Sequence, residues 1–197
     1  MHRKTLLTLI DRYAAAAPPQ EGGEVECFRA FVADRGDCFE RTCAPGHVTG
    51  SVWILDAGRD RFLLTHHRKL SRWLQLGGHS DGDPDTLSVA LREAREESGM
   101  QDFALVVPDG GRRPLDLDIH EIPARPREPA HLHYDVRFLL VAVEGQSLVC
   151  SDESNQLQWF ARDALAGVET DDSVRRLAHK AAGWLAAPHH LESLPAL

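Results

Sequence analysis

Residues 76–100 read LGGHSDGDPDTLSVALREAREESGM, and the fold turns on this stretch. A glycine loop leads into a helix start: Asp83 suits the N-cap, and Pro84 the first helical position, where its missing N–H costs nothing. Leu87, Ala90, Leu91 and Ala94 recur at helical spacing as an apolar stripe. Gly99 suits the left-handed residue just past a helix end. Glu93, Glu96 and Glu97 stand at i, i+3 and i+4, so they are neighbours on one side of that helix.

Carboxylates so placed repel one another unless something offsets them. A hard divalent cation does so, taking oxygen ligands from a few carboxylates and completing its shell with water and substrate phosphates. Arg92, four residues before Glu96, is in reach to pair with a carboxylate and orient it. Taken alone, the same string also reads as a solvated acidic face with ordinary i, i+4 pairs.

Upstream, residues 48–55 predict a strand with Val48, Val52 and Ile54 on one face. Turn chemistry at 56–60 and a return strand at 61–66 make this a β-hairpin. The polar string at 66–72, HHRKLSR, ends in Trp73. It reads either as an exposed loop or as a basic patch in which Arg68, Lys69, Arg72 and Trp73 face an anionic substrate.

Downstream, strands are predicted at 103–107 and 115–122, the second opposing Leu115, Leu117 and Ile119 to Asp116, Asp118 and His120. Residues 123–129 form a Pro-rich surface loop. In HLHYDVRFLL, residues 131–140, strand alternation sets His131, His133, Asp135 and Arg137 on one face and Leu132, Tyr134, Val136 and Phe138 on the other. That polar row, with His79 as a neighbour, lines a substrate cleft, binds a metal, or is simply a partly exposed sheet face. A short strand at 157–160 and a helix opening at 161–166 follow. The last helix, 171–187, buries Val174, Leu177, Ala181 and Leu185, and the tail carrying His189 and His190 is read as disordered.

Two helices, at 4–17 and 24–33, precede all of this. The expected organisation is an N-terminal helical extension, 1–44, packed on a main domain, 45–197. A 43% hydrophobic content with 26% charged residues describes a globular chain long enough to bury a core. The net charge of -8 argues against non-specific nucleic-acid binding, which needs a basic footprint. Asp11 and Arg12 interrupt the N-terminal apolar run too early for a signal peptide or membrane span, so a cytoplasmic protein is expected. Cys27, Cys38, Cys43 and Cys150 read as reduced thiols, although Cys38, Cys43 and His47 have a spacing that admits zinc.

The central stretch resembles the Nudix box, G-x5-E-x7-R-E-U-x-E-E-x-G-U, where U is a bulky aliphatic residue. With Gly78 on the first glycine, Arg92, Glu93, Glu96, Glu97, Gly99 and Met100 match in register. Pro84 replaces the first glutamate, and Ala94 the first aliphatic. The resemblance implies an α/β/α sandwich around a mixed sheet. It implies a hydrolase that cleaves a pyrophosphate linkage in a nucleoside diphosphate joined to another moiety. Glu93, Glu96 and Glu97, with Gly77, would hold Mg2+ or Mn2+; Arg92 would orient a glutamate; and Glu153, or Asp152, would be the additional acid of a late loop. Two alternatives stay open: a nucleotide-binding regulator on the same fold without turnover, and an isoprenyl diphosphate isomerase, whose marks include a histidine-built metal site and a reactive cysteine. A homodimer, the commonest closed assembly, is the default oligomeric expectation.

Overall fold

The structure is a computed structural model, and it describes residues 2–68, 71–126, 129–149 and 154–195. The chain opens with α1 (Lys4–Ala14) and α2 (Gly22–Asp34), joined by a 3-10 turn at Pro19–Glu21. Strands β1 (Gly46–Leu55), β2 (Arg61–His67), β3 (Arg72–Leu74) and β4 (Leu76–His79) follow, then helix α3 (Thr86–Ser98). Strands β5 (Phe103–Pro108), β6 (Asp116–Ile122), β7 (His131–Ala142) and β8 (Ser154–Ala161) lead to α4 (Asp172–Ala186) and a final strand, β9 (His189–Ser193).

Among the described residues these strands form one mixed sheet with the path β3-β2-β1-β7-β5-β9, while β4 pairs with β1, β6 with β7 and β8 with β2. At its centre β1 and β7 run parallel over ten residue pairs, from Gly46 opposite Leu132 to Leu55 opposite Val141. Alternation along β1 then divides the core. Val48, Val52 and Ile54 face α1, α2 and α3, where Phe28, Tyr134, Ala90 and Ala94 are buried with them. Trp53 and Leu55 face α4 with Leu139, Val174, Leu177 and Ala181. The N-terminal helices are tied directly to the sheet by the ring of Phe31, stacked on Tyr134 at 3.7 Å between centroids.

Helix α3 departs from the expected start. Asp85, not Asp83, is the N-cap, its side chain accepting from the amides of Leu87 and Ser88. Asp83 instead accepts the Asp85 N–H at 2.9 Å, shaping the turn that carries Pro84 ahead of the helix. Gly99 closes the helix at φ 74°, in the left-handed region that glycine tolerates.

Two more differences concern strands. The segment read as a glycine loop, 76–79, is the extended β4, paired antiparallel with Thr49 to Val52. The tail read as disordered is β9, which pairs His189 to Ser193 with β5 and covers that edge. A hydrogen-bonding partner supplied by tertiary structure overrides weak local β preference in both segments. The opening at 161–166 becomes a 3-10 turn, Ala164–Gly167. No helix among the described residues is long and apolar enough to cross a membrane.

Candidate active site

Helix α3 lies against β1 and β4, and absent side chains permit the closeness. A Cβ added at Gly50 would meet the Thr86 carbonyl at 2.8 Å, and one at Gly78 would come within 2.5 Å of the Glu93 carboxylate. The Gly77 N–H donates to Glu97 Oε2 at 3.2 Å. Arg92 Nη2 donates both to the His79 carbonyl at 2.8 Å and to Glu93 Oε1 at 2.9 Å, tying the helix to the end of β4. Glu93 and Glu97 therefore lean onto the strand, half-buried, while Glu96 is exposed beside them. Oxygen donors on a rigid helix, brought close to the strand by the missing Cβ of Gly78, fit a hard divalent cation.

A second group occupies the other face of β1. Sheet register creates it: His133 lies opposite His47 on one side and His120 on the other. His79 pairs with Thr49, two residues beyond His47 on the same face, and His131 precedes His133 by two. Ring centroids of His47 stand 5.0 Å from His79, 5.0 Å from His131 and 4.9 Å from His133. One ring nitrogen from each of His47, His79 and His133 lies within 4.8 Å of the others. Burial, reinforced by His120, His79, His47 and His131 around it, pushes the His133 imidazole down to about 2, so it is neutral at ordinary pH.

Farther along the same face the polar row is sealed. Asp135 accepts from Thr49 Oγ1 at 2.9 Å, Ser51 Oγ at 2.7 Å and Arg137 Nε at 2.7 Å. Arg137, 2% exposed, also donates to Asp118 at 2.8 Å and Asp116 at 3.2 Å. From α4, Arg176 bonds both of those aspartates, and Lys180 donates to Asp116 Oδ1 at 2.6 Å. Burial alone would raise the Asp118 carboxyl. The His120 hydrogen bond, the charge of Arg137 and the Arg176 hydrogen bond outweigh it and hold Asp118 well below the usual carboxylate range.

The residues singled out from sequence thus fall into distinct places. Arg92, Glu93, Glu97 and Gly77 meet at the α3–β4 contact, with Glu96 at its outer side. His79, His131 and His133 join the histidine group, whereas Asp135 and Arg137 are locked in the ion-pair network away from solvent. Arg68 and Arg72 are exposed. The Trp73 ring packs edge-on against Phe160 at 4.9 Å and His66 at 5.1 Å. Lys69, Asp152, Glu153 and Cys150 lie outside the described residues.

Cys38 and Cys43 do not join His47 in a metal group among the described residues. Burial pushes the Cys38 thiol up to about 12, and burial with the neighbouring Asp37 pushes Cys43 up to about 11. Sequence reading grouped His47 with Cys38 and Cys43 instead of with the histidines, and left His120 out of the group. The signal for His120 was its position on the polar side of an alternating strand. That for His47 needed the parallel register of β1 on β7, which no local pattern encodes.

A mixed sheet flanked by helices, with a glutamate-bearing helix held against a glycine strand, defines the Nudix fold class. The NUDIX domain model matches residues 46–180, and the chain belongs to that family. Solved structures of the same fold include a NUDIX-family hydrolase from Clostridium perfringens, 24% identical over 71% of this chain and 97% of that one, with a TM-score of 0.54. The E. coli dihydroneopterin triphosphate pyrophosphohydrolase is 17% identical over 71% and 96% of the two chains, with a TM-score of 0.53. A C. elegans Ap4A hydrolase complex is likewise 17% identical, over 71% and 97%, at 0.51. No curated protein sequence gives a significant match.

Proposed function

We propose that the protein is a metal-dependent hydrolase cleaving a pyrophosphate linkage in a nucleoside diphosphate joined to another moiety. The observation that carries this reading is the contact between α3 and β4, where Arg92 holds Glu93 beside Gly78 and the Gly77 N–H donates to Glu97. The Clostridium, E. coli and C. elegans relatives, named for hydrolase activities, support the reaction class.

Glu93, Glu96 and Glu97, with the backbone at Gly77, would hold Mg2+ or Mn2+. Such an ion supplies charge neutralisation at the phosphates and a bound water of lowered pKa. Arg92 acts through Glu93: bonded to that carboxylate and to the His79 carbonyl, it fixes where the acid points. Exposed Arg68 and Arg72 offer positive charge to an anionic substrate on a chain of net charge -8, and Lys69 and Trp73 are proposed to bind substrate with them. Glu153 is the proposed additional acid.

Purified protein with Mg2+ is to be tested against ADP-ribose, nucleotide sugars, dinucleoside polyphosphates, oxidised nucleoside triphosphates and coenzyme A, with cleavage products as readout. Cleavage of at least one is expected. Nucleotide binding without turnover of any would instead mark a regulator. The isomerase alternative predicts loss of activity when all four cysteines are replaced; the buried, raised thiols of Cys38 and Cys43 argue against their serving as its reactive group.

A further inference from the structure

We propose that His47, His79 and His133 form a binding site for a borderline divalent transition-metal ion of the Zn2+ class, with a donor set separate from the α3 glutamates. The three rings come from β1, β4 and β7, and their nearest ligand nitrogens lie within 4.8 Å of one another. Strand pairing fixes that convergence, so the site is built before any ion arrives. An all-imidazole set suits Zn2+ and its neighbours in the first transition row and offers little to Mg2+, which prefers oxygen. Three protein ligands also leave a tetrahedral ion one open position.

The surroundings match such a site. His131 Nδ1 sits 2.9 Å from the Pro129 carbonyl, which can only accept. The proton is therefore on Nδ1, and His131 Nε2 faces His133 Nε2 at 3.4 Å as an acceptor beside the trio. His120 Nδ1 is bonded to Asp118 Oδ2 at 2.7 Å, a carboxylate–histidine pair at the outer rim of the cluster. His79 joins the two sites: its ring belongs to the histidine trio, while its carbonyl receives Arg92, which holds Glu93. An ion on the histidines thus anchors the end of β4 from which the Arg92–Glu93 pair hangs.

The test uses the full chain, stripped with chelator and titrated with Zn2+ in excess Mg2+, with bound metal counted and heat of binding recorded. One Zn2+ per chain is expected, kept when Glu93 and Glu97 are both changed to Gln. His79→Ala and His133→Ala should each weaken binding by more than the roughly 10–100-fold typical of outer-shell losses. Imidazole-selective nitrogen NMR of the unaltered protein gives an independent reading: Zn2+ should move the ring resonances of three histidines. Failure to retain Zn2+ against Mg2+, binding that follows the glutamates instead of the histidines, or ring resonances that stay put would each overturn the proposal. Pyrophosphate cleavage is read separately, by the substrate panel.

Discussion

Gly78 and Glu93 are matched by absence: the carboxylate stands 2.5 Å from where a Cβ on residue 78 would lie, closer than any side chain there would allow. The obstructing group is the end of a flexible side chain, so Gly78→Ala should displace the acid and leave the fold standing. Turnover should drop about 100-fold, the cost of roughly 1 Å of misplacement, with thermal stability little changed. Parallel measurement of kcat and Tm checks this; equal turnover in the variant would mean that Glu93 need not occupy this position.

Arg137 is the hub of the buried network, donating to Asp135, Asp118, Asp116 and Ser173. Arg137→Met would strand carboxylates inside the protein, and removing one partner of a buried pair costs about 3–5 kcal/mol. Urea unfolding should show that loss. A variant as stable as the parent would place the network's weight on Arg176 and Lys180.

Asp118 gives the network a pH signature. Its folded pKa is depressed, so its stabilising contribution is complete above the ordinary aspartate value of about 4 and is lost as pH falls through the lower folded value. Unfolding free energy should decline on acidification below about pH 4, and Asp118→Asn should flatten that decline. An unaltered acid slope would contradict the assignment.

Asp85 and Asp83 separate by the same kind of measurement. Asp85 caps α3, so Asp85→Ala should cost about 1 kcal/mol. Asp83→Ala, which removes one bond to the Asp85 amide, should cost less. The reverse order would restore Asp83 as the cap.

What the sequence made legible was local. The amphipathic pattern of α3, its Gly99 stop, the β1–β2 hairpin and the alternation of 131–140 are all set by neighbours a few residues apart, and the structure has them. The strand at 76–79 was hidden because glycine has poor β propensity; its reason for being there is the close approach of Ser51 on one strand and Glu93 on the helix. The fate of Asp135 and Arg137 was hidden for another reason. Their partners Asp116, Asp118, Arg176 and Lys180 come from β6 and α4, and a row that alternates as polar looks the same from sequence whether it meets water or an ion-pair network. The histidine cluster likewise exists only through register, with β1, β4, β6 and β7 each contributing rings.

Glu97 carries the most direct test. The unaltered protein and Glu97→Gln are to be compared on the best nucleoside diphosphate derivative from the substrate panel, with Mg2+ present, following products by mass spectrometry and nucleotide binding by calorimetry. Cleavage at the pyrophosphate by the parent, and near-complete loss of turnover with binding retained in Glu97→Gln, is the predicted result. Undiminished hydrolysis by Glu97→Gln would contradict a carboxylate-held metal as the source of the activity.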